Sequence, residues 1–218
     1  MITESIVHAQ TINSWLVEAQ ERINAQSDYL TQLDAAIGDG DHGTNMRRGF
    51  EAVGKALAGQ VNGTPPGRLL ILAGKTLVAT VGGASGPLWG SALRRAGRAL
   101  GDADTFDGEQ LASALDAAID GVVELGAAAP GDKTMVDALS PAATALHDSL
   151  DHGTPLADAV AGAADAARKG AEATVPMRAR KGRASYLGER SIGHQDPGAT
   201  SAAIILEALS HAVASTQD

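Results

Sequence analysis

Residues 33–46 read LDAAIGDGDHGTNM, and two readings of that stretch lead to two different folds. Gly38-x-Gly40-x-x-Gly43 has the spacing of a dinucleotide-binding loop. That loop needs a β-strand before it, a helix after it and an acidic residue about 20 positions further on. The preceding segment, YLTQLDAAI, is helical in pattern, and nothing suitable stands near position 62. Asp39 and Asp41 would also repel a pyrophosphate. The stretch therefore joins two helices, and the chain reads as all-α.

The periodicity on both sides agrees. Apolar residues recur at helical spacing in eight segments: 4–34, 44–58, 67–81, 87–100, 108–127, 133–150, 155–174 and 198–214. The first carries Ile12, Leu16, Ala19 and Ile23; the last carries Ala202, Leu206, Leu209 and Val213. Pro141 predicts a kink in the sixth, and Pro155 a first-turn position in the seventh. No β-alternation, internal repeat or linker is visible, so residues 1–218 are expected to form one domain.

Composition narrows the function. Of the 218 residues, 44% are hydrophobic but 3% aromatic, so the core must come from Leu, Ile, Val and Ala. The net charge of −9 argues against general nucleic-acid binding, which needs a basic surface. With no Cys, disulfides and thiolate metal sites are excluded. MITESIVHAQ has no signal-peptide pattern, and the apolar stretches are too interrupted to span a bilayer. A soluble cytoplasmic protein, not bound to a membrane, is expected.

The links are of two kinds. GQVNGTPP, GDADTFD and DHGT are ordinary polar turns. GDGDHGTN, VGGASGP, PGDKT and the stretch from Pro176 to Pro197 are not. If the helices alternate up and down, these four links meet at one end, and four helix N-termini converge on a potential anion site. Ser85 with Pro87, and Asp196 with Pro197, read as a cap and a first-turn residue. The long stretch holds Arg178, Arg180, Lys181, Arg183 and Arg190 against Glu189, a charge inversion in an acidic protein. It reads either as a solvated surface loop or as a lid whose arginines meet phosphate.

Within the opening stretch, Asp39 and Asp41 lie two apart in a glycine-broken loop, and Asp34 ends the preceding helix. Three hard oxygens without a His/Cys set favour Mg²⁺ over zinc; the bland alternative is a turn with Asp caps. An EF-hand fails because Gly43 is misplaced and no Glu closes the loop. The GKT at 74–76 fails as a P-loop because position 69 is Leu.

Taken together and in order, GDGDHGTNM, GGASGPLWG, GDKTMVDAL and KGRASYLGERSIGHQDPGA resemble the nucleotide-binding L subunits of dihydroxyacetone kinases over nearly the whole chain. The resemblance implies an eight-helix antiparallel up-and-down barrel with a nucleotide site at one end. It implies that Asp34, Asp39 and Asp41 bind two Mg²⁺ ions that hold the phosphates of ADP or ATP. The nucleotide would touch His42, Gly43, Thr44, Asn45, Ala84 and Ser85, with Gly126 and Met135 beside the adenine. Arg183 would reach phosphate as the catalytic residue, and Asp196, Pro197 and Gly198 would complete the pocket.

The implied activity is phosphoryl transfer to dihydroxyacetone held on a separate K subunit, which supplies the acid–base residues. A phospho-His protein of the phosphotransferase system would rephosphorylate ADP kept as a coenzyme. A chain of 218 residues with Met1 close to the first helix reads as unfused, which favours that mode over ATP as co-substrate. The alternatives are an ATP-dependent kinase subunit for a related three- or four-carbon sugar, a nucleotide-sensing module that binds a transcription regulator, and a Ca²⁺-binding helical module. A homodimer is compatible with all of these.

Overall fold

Residues 6–60 and 63–216 are described in the computed structural model. Among them, nine α-helices follow one another: α1 (Ala9–Ala25), α2 (Ser27–Ile37), α3 (His42–Ala58), α4 (Pro66–Thr80), α5 (Ser85–Leu100), α6 (Gly108–Gly126), α7 (Val136–Asp151), α8 (Leu156–Ala173) and α9 (Pro197–Ser215). Setting α2 aside, each helix packs on the next, and α9 closes back onto α1. Eight helical positions thus form a closed antiparallel ring, as expected.

The apolar stripes face inward and meet in one core that includes Ile12, Leu16, Phe50, Leu77, Trp89, Leu146 and Ile205. Trp15 packs its ring there while its Nε1 donates to the Ile205 carbonyl at 2.8 Å, tying α1 to α9 where the ring closes. α9 is buried on most of its circumference, and its sequence is apolar to match. With so few aromatic residues, helices must approach closely to leave no voids. The α4–α5 contact achieves this with glycine. A Cβ on Gly97 would lie 2.4 Å from the Gly67 carbonyl oxygen, and one on Gly90 would lie 2.9 Å from that of Gly74.

The structure corrects four expectations. The segment 4–34 is two helices rather than one, with residues 4 and 5 outside the described residues. Gln26 leaves helical geometry at φ −105° and ψ 9°, and the chain changes direction there. The bend brings the Ser27 carbonyl so close to α3 that a Cβ on Gly43 would lie 1.9 Å from it. A steric demand made sixteen positions away cannot be read in the apolar periodicity. Second, a short antiparallel pair, β1 (Val7–His8) with β2 (Thr105–Phe106), ties the start of α1 to the α5–α6 link. Two residues per strand are too few to show alternation. Third, the 176–197 stretch is not structureless: Arg183–Ser191 form a 3-10 helix, interrupted at Gly188 (φ 58°). Fourth, Ser85 is not the cap of its helix but its first residue, and Ala84 caps without a side-chain bond.

Pro141 lies inside α7 as expected. Lacking an N–H, it leaves the Asp137 carbonyl without its usual donor, and Gly170 of α8 packs against that carbonyl. Of the plain links, GQVNGTPP includes residues 61 and 62, which lie outside the described residues.

Two glycine substitutions separate packing from chain entropy. Gly97→Ala puts a methyl into backbone that cannot yield and is expected to cost about 1–3 kcal/mol. Gly162→Ala, whose Cβ would meet nothing nearer than Ser149 Oγ at 3.9 Å, is expected to stabilise, by about 0.4–1 kcal/mol. Urea unfolding of both variants measures the two signs.

Candidate functional site

Helices α3, α5, α7 and α9 all start at the same end of the ring, and all four unusual links line one cleft of about 300 Å³ there. Asp39 and Asp41 come from the first link, Gly82 to Ser85 from the second, Lys133 to Met135 from the third, and Lys181 to Ala184 with Asp196 to Gly198 from the fourth. A larger groove of about 450 Å³ lies over α8 and α9, lined by none of the motif links save Gln195. Charges in it are paired, Arg168 with Asp165 and Glu172, and Glu207 and His211 with Arg22. The chemistry concentrates in the smaller cleft.

One wall of the cleft is acidic. Asp34 sits in the last turn of α2, and its Oδ2 accepts the backbone N–H groups of Asp41 at 2.9 Å and His42 at 3.1 Å. A carboxylate seven residues upstream therefore caps α3, where the N-cap residue Asp41 makes no side-chain cap of its own. Glycine is required for the wrap: a Cβ on Gly38 would lie 2.1 Å from Asp34 Oδ1, and Gly40 has φ +71°. The turn brings one carboxylate oxygen from each of Asp34, Asp39 and Asp41 within 4.8 Å of one another. Asp34 is pinned and nearly buried while Asp39 and Asp41 stay exposed. Hard, converging oxygen donors of this kind fit Mg²⁺ or a similar cation. Arg183 Nη2 lies 3.1 Å from Asp39 Oδ2, which brings the basic segment onto the same cluster.

The opposite wall is apolar: Leu88, Trp89, Val122, Ala128 and Met135. Between the walls, His42 bridges two other elements, its Nδ1 3.1 Å from Ser85 Oγ and its Nε2 3.0 Å from Ser201 Oγ. Burial pushes the His42 pKa down, against the pull of Asp34 and Asp41. The neutral ring ties the starts of α3, α5 and α9 together.

On the α9 side of the cleft, Asp196 caps α9 by accepting the Ala199 N–H at 2.7 Å, and burial pushes its pKa up to about 7. Lys133 is fully buried, and burial pulls its pKa down against the nearby Asp196.

Of the residues singled out from the sequence, Asp34, Asp39, Asp41, His42, Ala84, Ser85, Gly126, Met135, Arg183, Asp196, Pro197 and Gly198 all line the cleft. Gly43, Thr44 and Asn45 follow in the first turn of α3 without lining it. Gly43 faces Ser27 and Thr31, Thr44 is exposed, and Asn45 accepts from Arg48 Nη2 at 2.8 Å. Sequence reasoning missed Lys133 and, apart from Met135, the apolar wall. Lys133 stood inside the quoted GDKT link, but nothing in the sequence marks a buried ammonium. The wall residues sat within ordinary helical stripes.

Asp196 makes a pH prediction. Its raised pKa means the folded state holds a proton that the unfolded chain has already released, so stability falls as pH rises from 3.8 to about 7 and then levels. Asp196→Asn keeps a capping oxygen but does not titrate. Wild type should lose stability relative to this variant across that window, on the order of 4 kcal/mol, read by urea unfolding at successive pH values.

Against known proteins, residues 36–211 match the family described as the DAK2 domain. The chain is 43% identical over 205 residues to the "PEP-dependent dihydroxyacetone kinase, ADP-binding subunit DhaL" of Escherichia coli K12, covering 94% of this chain and 97% of that one. It is 44% identical to the "L-erythrulose 1-kinase" of Mycolicibacterium smegmatis over 89% of this chain but 34% of that protein. Its fold superimposes with a TM-score of 0.67, at 28% identity, on the crystal structure of the dihydroxyacetone kinase from C. freundii in complex with AMP-PNP and Mg²⁺; the match covers 92% of this chain and 33% of that one. The chain thus spans about a third of the length of these two kinases. Among the described residues no helix is long and apolar enough to cross a membrane. By sequence, by fold and by the motifs that line its cleft, the chain belongs to the DAK2 domain family, that of the ADP-binding L subunits of dihydroxyacetone kinases.

Proposed function

We propose that this chain is the ADP-binding, phosphoryl-transferring subunit of a dihydroxyacetone kinase, and that the cleft at the helix starts is its nucleotide site. The observation that carries the reading is the pairing of two unlike walls. Three converging carboxylates and Arg183 face one half of the cleft; Leu88, Trp89, Val122, Ala128 and Met135 form the other. A nucleotide has the same division, phosphates at one end and a flat base at the other.

Asp34, Asp39 and Asp41 would hold Mg²⁺, with Asp34 fixed by its two backbone donors. Bound there, the metal would supply positive charge to neutralise phosphate. The remaining work falls to the chain itself. Gly126 and Met135 shape the floor on which the base rests, and Ala84 and Ser85 begin a helix that has no side-chain cap, leaving its N-terminus able to meet an anion. Gly43, Thr44 and Asn45 follow His42 in the first turn of α3, whose start is already capped by Asp34 and where the Asn45 N–H is taken by the Asp41 carbonyl. Pro197 and Gly198, fixed by the Asp196 cap, close the third side. Arg183, exposed and within reach of the acid cluster, donates to phosphate as charge develops in transfer.

The likeness to a subunit named for ADP binding, over nearly its whole length, favours dihydroxyacetone held on a partner K subunit. The likeness to a phosphoenolpyruvate-dependent subunit over 97% of its length favours ADP as a resident coenzyme, rephosphorylated by a phospho-His protein. The likeness to an erythrulose kinase favours, as second reading, ATP-dependent transfer to a four-carbon sugar. A regulator that recognises the ADP-loaded state, and a homodimer, are further partners compatible with this surface.

Calorimetry with Mg-ADP tests the site. Wild type should bind, and Asp39→Ala or Asp41→Ala should lose at least about 100-fold in affinity with helical circular dichroism unchanged. Normal binding by either variant overturns the metal assignment. Turnover with a K subunit, dihydroxyacetone and ATP, without any phospho-His donor, would overturn the coenzyme mode and favour the second reading.

A further inference from the structure

Among the described residues, Lys133 is the largest polar side chain with almost no exposure, 1%. Its backbone is left-handed at φ +63°, a conformation in which glycine is the easier residue. Local geometry therefore does not explain a lysine here. Its ammonium does: Nζ donates to the carbonyl oxygens of Thr174 at 3.0 Å, Met177 at 3.1 Å and Ser191 at 2.7 Å. Three acceptors match the three N–H groups of the charged form, and a neutral amine could serve only two.

These acceptors are not scattered. Thr174 and Met177 lead into the basic segment, and Ser191 leads out of it. The two strands of this neck are also joined directly, Ala179 N–H to Ser191 Oγ at 2.9 Å and Gly193 N–H to the Val175 carbonyl at 2.8 Å. Beside Lys133, the Asp132 carbonyl accepts the Arg180 N–H at 3.0 Å. The segment that stands on the neck carries Arg183 to Asp39. The third link, between α6 and α7, thus holds the root of the fourth.

We infer that Lys133 is a positioning residue for phosphoryl transfer: its ammonium pins the neck of the 178–190 segment and so places Arg183 over the acid cluster. The inference rests on the nucleotide reading above. Lys133 acts through Arg183 rather than on the nucleotide, so its effect should vanish when Arg183 is gone.

The test uses the full chain and four variants: Lys133→Met, Ser191→Ala, Arg183→Ala and Lys133→Met/Arg183→Ala. Trypsin provides a readout independent of nucleotide, because the segment itself carries Arg178, Arg180, Lys181, Arg183 and Arg190. Lys133→Met should be cut within 178–190 about tenfold faster than wild type while retaining its helical signal. By calorimetry its Mg-ADP affinity should fall about tenfold, and in the Arg183→Ala background the same change should cost less than about twofold. Should Lys133→Met not fold, Ser191→Ala, which loosens the neck from its other strand, must show the same pattern in smaller measure. Unchanged cleavage and affinity in the folded variant, or losses that multiply independently of Arg183, overturn the positioning role alone. Failure of wild type to bind Mg-ADP overturns the nucleotide reading and this role with it.

Discussion

Everything at the site end follows from one constraint: helix starts expose backbone N–H groups that must find acceptors. The closed ring gathers four such starts in one place, and the chain answers each differently. α3 borrows Asp34 from the helix before it, and α9 uses its own Asp196. At α7, Asp137 accepts from the Gly131 and Thr134 N–H groups, folding the link back onto its helix. α5 begins with no side-chain cap. The acid that serves as a cap for α3 is also part of the carboxylate cluster, so one side chain both completes a helix and shapes the cleft.

Much of this was legible before any coordinates. Helix positions follow from apolar spacing, and up-and-down alternation follows from short links. Together they forced the four glycine-rich links to one end, where the structure has them. The Asp triad was legible because three acids crowd one glycine-broken turn. What escaped the sequence depended on contacts between distant elements. The bend at Gln26 is set by the approach of Gly43, and the 3-10 turn at Arg183–Ser191 is held from below by Asp132 and Lys133. Ser85 read as a local cap, but its hydroxyl has a better partner in His42, forty-three positions away. Local rules fail at these points because tertiary partners outbid local ones for the same donor or acceptor.

The core has its own economy of space. Few aromatic rings are available, so close helix approach replaces bulk, and glycines at Gly67, Gly74, Gly90 and Gly97 let α4 and α5 touch backbone to backbone. The rigid wall that results carries Gly82 to Ser85 at its tip. Precision at the cleft thus begins in packing well outside it.

The ring closes where α1 meets α9, and their outer ends are joined there by Thr11 Oγ1 and Thr216 Oγ1, 3.0 Å apart. This junction lies at the end opposite the cleft. The described chain therefore starts and finishes side by side, facing away from the cleft. Such a unit can be spliced onto another polypeptide, at either terminus, without a linker crossing the mouth of the cleft. The geometry accounts for how one barrel can make up nearly all of one relative and about a third of another.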